Sequence, residues 1–129
     1  MTRSVRDIMA RDLVTFTPET LIHRAIQILL TQRISGAPVV AENGTLVGML
    51  SKKDCLKVVL SSSYHQDWGG TVADFMSTEI ETIEGDLDLV GAARHFLGSH
   101  YRRFPIIEDG RLVGQVSRAD LLKALIEGS

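Results

Sequence analysis

Apolar and polar residues follow the same order twice along the chain, in two stretches of about half the length each. A short β-prone piece begins each stretch, LVTF at 13–16 and IETI at 80–83. In the first stretch we expect Thr17 to be a helix N-cap and Pro18 to be the first helical residue, because proline fits where no amide bond is required. Apolar residues then recur at the helical spacing of three to four. They are Ile22, Ile26 and Leu29 in the first stretch and Leu89, Ala93, Phe96 and Leu97 in the second.

A pair of apolar strands around a tight turn comes next in both stretches. The turns are Asn43-Gly44 and Asp109-Gly110, pairs that supply the positive φ angles of a two-residue hairpin. A second helix is predicted from Lys52 to about residue 60, and another from Arg118 to about residue 126. Each stretch is therefore predicted to fold as a β-α-β-β-α unit.

The two stretches are copies of one another. Sliding the sequence by 67 residues places VRDIM (5–9) on VADFM (72–76), and after the hairpin a shift of 66 places VGMLSKKD on VGQVSRAD. Both of these last segments contain Gly-x-x-Ser-x-x-Asp. The duplication predicts one repeat at 1–60, a linker at 61–71 and a second repeat at 72–129. Half of this chain would bury only a small core, so the halves are expected to pack on each other.

The repeated Ser-x-x-Asp admits two interpretations. It is a variant of the capping box, in which the serine hydroxyl and the carboxylate bond each other's backbone amides. The same groups also suit a nucleotide: amides at a helix start bind phosphate, a preceding glycine lets a ligand approach the backbone, and a carboxylate accepts the two ribose hydroxyls. The two roles are compatible.

Composition excludes several classes of protein. Fourteen Lys and Arg balance sixteen Asp and Glu, so the basic excess of a nucleic-acid-binding protein is absent. No apolar stretch approaches the roughly 18–20 residues that span a bilayer, and the first residues lack the apolar core of a secretory signal. The single cysteine, Cys55, fits a reducing compartment, and we expect a cytoplasmic location.

The duplicated unit resembles a tandem pair of cystathionine-β-synthase (CBS) domains, often called a Bateman module. The resemblance rests on VRDIM and VADFM, on APVV and FPII after each first helix, and on Gly-x-x-Ser-x-x-Asp, and covers the chain apart from the linker. It implies an α+β fold with two small mixed sheets packed as a pseudo-twofold pair. It also implies a regulatory module that binds an adenine nucleotide or relative, such as AMP, ADP, ATP, S-adenosylmethionine or an NAD-type molecule, and that commonly forms a homodimer.

The resemblance further implies composite sites. Ser117 and Asp120 would hold phosphate and ribose, with a base framed by residues of the first repeat: Thr17, Ile22, Ile34, Ser35, Gly36, Ala37 and Pro38. Ser51, Lys53 and Asp54 would form the reciprocal site with residues of the second repeat: Leu89, Tyr101, Arg102, Arg103, Phe104 and Pro105. Guanidinium groups at Arg102 and Arg103 suit phosphate, although both arginines and Lys53 could equally be solvated surface charges.

Three functional hypotheses follow from the sequence. The leading one is a ligand-binding regulatory module that has no catalytic activity, needs no cofactor and signals to an effector protein. The alternative is a structural or dimerisation module with vestigial ligand sites. An enzyme, such as a nucleotide hydrolase, would need a general base or metal cluster. The four histidines are not spaced as metal ligands. Cys55 lacks an activating base and is interpreted as a core residue.

Overall fold

The computed structural model describes residues 3–62 and 69–128. The chain divides into two compact units, unit 1 formed by Met1–Leu13 with Glu81–Ser129 and unit 2 formed by Val14–Ile80. Most of the predicted linker at 61–71 lies outside the described residues. No helix in the described ranges is long and apolar enough to cross a membrane.

Unit 2 contains a two-stranded antiparallel sheet and three helices. Its elements are α1 (Ile22–Gln32), β1 (Gly36–Val40), β2 (Leu46–Ser51), α2 (Lys52–Ser62) and α3 (Val72–Phe75). Strands β1 and β2 pair with Gly36 opposite Ser51. The predicted strand at 13–16 is reduced to one parallel bridge between Phe16 and Val39. The α1 face that begins at Ile22 is buried against both strands and against Val58 of α2.

Unit 1 repeats this plan with one more strand. Its elements are a 3-10 turn (Val5–Asp7), β3 (Ile83–Glu84), α4 (Leu89–Leu97), β4 (Arg103–Glu108), β5 (Arg111–Ser117) and α5 (Arg118–Glu127). Strand β3 runs parallel to β4, and β4 runs antiparallel to β5 with Arg103 opposite Ser117. Phe104 and Ile106 of β4 are almost fully buried at the centre of this core. Both units are thus mixed α and β with a small sheet, as predicted.

Each unit contains the N-terminal segment of the other repeat. We call residues 4–10 lead-in segment 1 and residues 71–77 lead-in segment 2. In unit 1 the Val5 amide donates to the Leu87 carbonyl at 2.9 Å, and in unit 2 the Val72 amide donates to the Thr20 carbonyl at 2.8 Å. These two bonds are equivalent under the 67-residue shift. The boundaries predicted at 1–60 and 72–129 follow the sequence duplication, whereas the compact units exchange the lead-in segments.

The predicted start of α1 is wrong. Thr17 is not its N-cap and Pro18 is not helical, because the helix begins at Ile22. The carbonyls of Pro18 and Thr20 accept bonds from lead-in segment 2, at 3.0 and 2.8 Å. They are therefore unavailable to a helix that would start at Pro18, and residues 17–20 form a turn instead.

Two details differ from the simplest interpretation of the pattern. Leu97 is 88% exposed, because the buried face of α4 runs through Leu89, Ala92 and Phe96 and turns away before the helix ends. Asn43 does not adopt a positive φ, although Gly44, Asp109 and Gly110 do. Instead the Asn43 side-chain oxygen accepts the Thr45 amide at 3.1 Å.

Candidate functional site

The repeated Ser-x-x-Asp forms a reciprocal capping box at the start of α2 and of α5. The Ser51 amide donates to Asp54 Oδ2 at 2.9 Å, and the Asp54 amide donates to Ser51 Oγ at 3.1 Å. Ser117 and Asp120 make the same two bonds at 3.0 and 3.1 Å. The capping interpretation is therefore confirmed.

Both lead-in segments contain the same box. The Ser4 amide donates to Asp7 Oδ2 and the Thr71 amide donates to Asp74 Oδ2, each at 2.9 Å. The Ser/Thr-x-x-Asp spacing thus caps a helix or 3-10 turn at four places in the described chain. Spacing alone does not distinguish a ligand site from a cap, and the surroundings of Ser51 and Ser117 must do so.

The glycine of the repeated motif has a packing role. A Cβ atom at Gly114 would overlap with the Met9 side chain and lie 2.9 Å from the Ala10 carbonyl oxygen. A Cβ atom at Gly48 would overlap with the Met76 side chain and lie 3.1 Å from the Ser77 carbonyl oxygen. The missing side chain thus makes room for a methionine of a lead-in segment, and the approach of a ligand to this glycine stays a prediction.

In unit 1 the start of α5 lies beside arginines of the segment that precedes Pro105. Arg103 pairs with Ser117 across the sheet, and the Arg118 amide donates to the Arg102 carbonyl at 2.9 Å. Both Arg102 and Arg103 are exposed, and neither forms a salt bridge within the described residues. Arg102, Arg103 and Arg118 thus lie next to Ser117 at the start of α5, where the Arg118 guanidinium also donates to the Ser99 carbonyl at 3.3 Å. Guanidinium groups bind phosphate well.

Aromatic rings continue this surface of unit 1. Tyr101 is 41% exposed and stacks on His100 with ring centroids 4.5 Å apart. The Tyr101 ring also meets the ring of buried Phe104 in an edge-on arrangement, with 6.0 Å between the centroids. The Tyr101 amide donates to Ser99 Oγ at 3.2 Å. Tyr101 is therefore a partly anchored aromatic face, suited to stacking on a planar ligand.

In unit 2 the equivalent surface has small uncharged residues before the proline, and its cations are Lys52 and Lys53 at the start of α2. Gly36 lies opposite Ser51, and the Lys52 amide donates to the Ser35 carbonyl at 2.8 Å. A Cβ atom at Gly36 would lie only 2.8 Å from the Leu50 carbonyl oxygen, which explains the glycine. Lys53 is exposed on α2. The Ile34-Ser35-Gly36 segment thus takes the place of Tyr101-Arg102-Arg103.

The two carboxylates of the motif differ in exposure. Asp54 is 9% exposed, with Lys57 Nζ 3.7 Å from its Oδ1, whereas Asp120 is exposed. Cys55 follows Asp54 and is 6% exposed. Burial raises the pKa of the Cys55 thiol, and the negative charge of Asp54 adds to this shift. The protonated thiol is a weak nucleophile, in keeping with a core residue.

The structure groups the predicted site residues by unit. Each Ser-x-x-Asp lies beside the segment before proline of its own repeat: Ser51, Lys53 and Asp54 beside Ser35 and Gly36, and Ser117 and Asp120 beside Arg102 and Arg103. Ile22 is fully buried, and Ala37 and Leu89 are core residues at 1% and 7% exposure, so these three side chains pack in the cores of their units. Thr17 is held by its neighbour, with 2.9 Å between the hydroxyls of Thr17 and Thr20. This grouping within one unit differs from the composite pairing that the resemblance implies. Both that pairing and a ligand role for these residues stay predictions.

Sequence reasoning missed two features of the site. One is Arg118, the residue that follows the motif serine in unit 1. The other is the pairing of Met9 with Gly114 and of Met76 with Gly48. The sequence does contain a signal for the Met–Gly pairings, because both methionines and both glycines recur under the repeat shifts. No group of three or more His, Cys, Asp or Glu side chains able to hold a metal occurs within residues 3–62 and 69–128.

Comparison with known proteins supports the resemblance. The sequence model of the CBS domain family matches residues 5–61 and 72–127. The chain is 30% identical over 118 residues to the CBS domain-containing protein YhcV of Bacillus subtilis, covering 92% of this chain and 82% of that protein. It is 27% identical over 121 residues to the uncharacterized protein MJ1225 of Methanocaldococcus jannaschii, covering 94% of this chain but only 42% of that protein.

A solved structure gives the same fold. CBSX2 of Arabidopsis thaliana, crystallised in complex with AMP, is 29% identical, with a TM-score of 0.81 and 96% of each chain covered. The architecture of two small sheets with flanking helices is therefore shared with a CBS-pair protein.

Proposed function

Because this chain belongs to the CBS domain family and contains the domain twice, we propose that it is a regulatory module that binds an adenine nucleotide. The single observation that carries the proposal is the surface of unit 1 at the start of α5, where Arg102, Arg103 and Arg118 lie beside Ser117. Cationic side chains beside a helix start fit a phosphate. Asp120 is the expected acceptor of ribose hydroxyls, and Tyr101 offers a face for a base.

The adenine class comes from the relatives. CBSX2, whose structure was solved with AMP, is similar over 96% of this chain. We propose AMP, ADP, ATP, S-adenosylmethionine or an NAD-type molecule as the ligand, with no cofactor required and no catalytic activity in the chain itself. Ser51, Lys53 and Asp54 are proposed to belong to a second, less cationic site, because Ser35 and Gly36 replace the two arginines there.

A thermal-shift panel with these ligands tests the proposal. A ligand at about 100 times its Kd stabilises the folded protein by about 2.7 kcal/mol, which raises the melting temperature by several degrees. We expect one adenine ligand to give such a shift. A flat panel, with protein shown to carry no bound nucleotide, would contradict the proposal.

The chain offers a matched control for the carboxylate. Asp120→Asn removes the charge at the proposed site, and Asp7→Asn makes the same change in a capping box of lead-in segment 1. Nucleotide binding should weaken in Asp120→Asn and persist in Asp7→Asn, whereas equal behaviour of the two variants would indicate that Asp120 acts only as a cap. Arg102→Gln should weaken phosphate-bearing ligands more than adenosine.

A structural module with vestigial ligand sites is the second candidate. The observation that favours it is the presence of the same capping box at Ser4 and Thr71, where no ligand is expected. Ligand binding discriminates the two candidates, because a purely structural module would give no shift with any nucleotide.

The proposed regulatory role implies partners. We propose that the chain forms a homodimer and signals to an effector protein, and that it acts in the cytoplasm, where a free thiol such as Cys55 stays reduced. Light scattering tests the dimer: a monomer at all concentrations and in the presence of ligand would contradict it.

A further inference from the structure

The groove of unit 1 that holds lead-in segment 1 has the properties of a recognition site. Val5 is fully buried in it and Met9 is 8% exposed beside Gly114. Ala10 and Gln115 exchange two backbone hydrogen bonds, each 2.9 Å long. Arg6 also forms a salt bridge with Glu108 at the end of β4. The segment is thus bound by two apolar anchors, a short backbone pairing and one ion pair.

Unit 2 binds lead-in segment 2 in the same way. Val72 is fully buried, Met76 lies beside Gly48, and Met49 and Ser77 exchange two backbone bonds of 2.9 Å. The anchors Val and Met and the capping Asp are the features that the two segments share. Each groove therefore binds a Ser/Thr-Val-x-Asp-x-Met pattern through groups that the two repeats share.

The connector that follows lead-in segment 1 would allow the segment bound in this groove to come from another molecule. Residues 11–15 follow the segment without regular secondary structure, and the boundary between the compact units falls at Leu13 and Val14. A segment supplied by another molecule would form the same buried contacts and backbone bonds. The choice between the two sources then depends on the effective concentration that this connector provides, on the order of millimolar for a short flexible linker.

We infer that the unit 1 groove accepts lead-in segment 1 of a second copy of this chain, so that two copies can exchange these segments. The occupant is specified by charge as well as by shape. Lead-in segment 2 has Ala73 where segment 1 has Arg6, and it leaves Glu108 without its partner. Exchange therefore pairs segment 1 with the unit 1 groove of the other copy.

Disulfide trapping between full-length chains tests the exchange. All chains carry Cys55→Ala, and an Ala10→Cys chain is mixed with a Gln115→Cys chain at about 1 mM, near the effective concentration of a short linker. Exchange places the two cysteines opposite each other, at a separation that a disulfide can bridge. We expect a disulfide-linked mixed dimer whose yield rises with protein concentration.

Matched chains make the result decisive. Lys123→Cys, on the exposed surface of α5, replaces Gln115→Cys as the control for random collision and should give only background. Met49→Cys, the equivalent position of unit 2, should give less mixed dimer than Gln115→Cys. Adding Glu108→Gln to the Gln115→Cys chain should reduce its yield toward that of Met49→Cys.

The double variant Ala10→Cys/Gln115→Cys reports whether the segment is docked in solution. The inference would be overturned if the internal disulfide of this double variant closes while the mixture of Ala10→Cys and Gln115→Cys chains gives no more mixed dimer than the Lys123→Cys control. The segment would then stay in its own molecule. Failure of the internal disulfide to close would overturn it as well, because the groove would not hold the segment at all.

Discussion

Unit 1 and unit 2 share one backbone scaffold but present different side chains at the start of their second helix. Both contain a capping box, a glycine packed against a methionine, and a lead-in segment bound through equivalent carbonyls. Beside this scaffold unit 1 places Tyr101, Arg102 and Arg103, where unit 2 places Ile34, Ser35 and Gly36. Groups that hold the scaffold are thus repeated, while the groups that would meet a ligand have diverged.

The capping carboxylates of the two units differ in their exposure to solvent. Asp54 of unit 2 is 9% exposed, whereas Asp120 of unit 1 is exposed and lies near the arginines. The comparison suggests that the carboxylate of unit 2 contributes more to stability and the carboxylate of unit 1 more to binding. Four predictions test how far the two units are equivalent.

The largest expected effect is the removal of a lead-in methionine. Met9→Ala should lower the free energy of unfolding by about 2–5 kcal/mol, the range for a buried methionine. Met76→Ala should lower it less, because Met76 is only partly buried. Urea unfolding measures both, with Leu97→Ala as a surface control expected within about 0.5 kcal/mol of the parent. Equal losses for the two methionines would contradict the difference between the units.

The next effect is the introduction of a methyl group opposite each methionine. Gly114→Ala should lower the free energy of unfolding by about 1–3 kcal/mol through overpacking. Gly48→Ala should do less harm, because the nearest carbonyl oxygen is 3.1 Å away rather than 2.9 Å. Combining Gly114→Ala with Met9→Ala should destabilise less than the sum of the single changes. Strict additivity would show that the glycine is required for another reason.

The capping carboxylates should differ in the same measurement. Asp54→Ala removes the acceptor of the Ser51 amide and hydroxyl at a largely buried site, and should lower the free energy of unfolding by about 1–3 kcal/mol. Asp120→Ala, at an exposed site, should lower it by about 0.3–1 kcal/mol. A greater loss in Asp120→Ala would reverse the proposed division between stability and binding.

The smallest effect is a dependence on alkaline pH that belongs to unit 2. The pKa of Cys55 is raised above its ordinary value of 9.0 by burial and by Asp54, so the folded state retains a proton that the unfolded state loses. Stability is fully present below that ordinary value and is lost as the pH rises through the folded pKa. Thermal melts from about pH 8 to about pH 10.5 measure this loss.

Two variants isolate the thiol in these melts. Cys55→Ala should decline less over the alkaline range, and Asp54→Asn should reduce the shift by removing the neighbouring charge. Unit 1 has Leu121 at the equivalent position and should contribute nothing. An identical decline in the parent and in Cys55→Ala would assign the effect to other groups.

The sequence predicted local structure well where one segment contains all of the interacting groups. The hairpins, the second helices and both capping boxes depend on residues within a few positions of each other, so their patterns were sufficient. It failed at the start of α1, because the carbonyls of Pro18 and Thr20 are bonded to Ala73 and Val72, more than 50 positions away. It also left out the packing role of the motif glycine, since the side chain that fills its space comes from a lead-in segment.

The sequence by itself determined the duplication, the order of elements in each repeat and the family, because these depend on residue spacing and identity. Only the tertiary structure decided which lead-in segment each unit contains, because the two segments share their Val, Asp and Met anchors and the salt bridge that distinguishes them joins Arg6 to a residue 102 positions away. It also decided that Asp54 is buried and Asp120 exposed. Burial depends on every element packed around a residue, and two copies of one motif cannot by themselves reveal that difference.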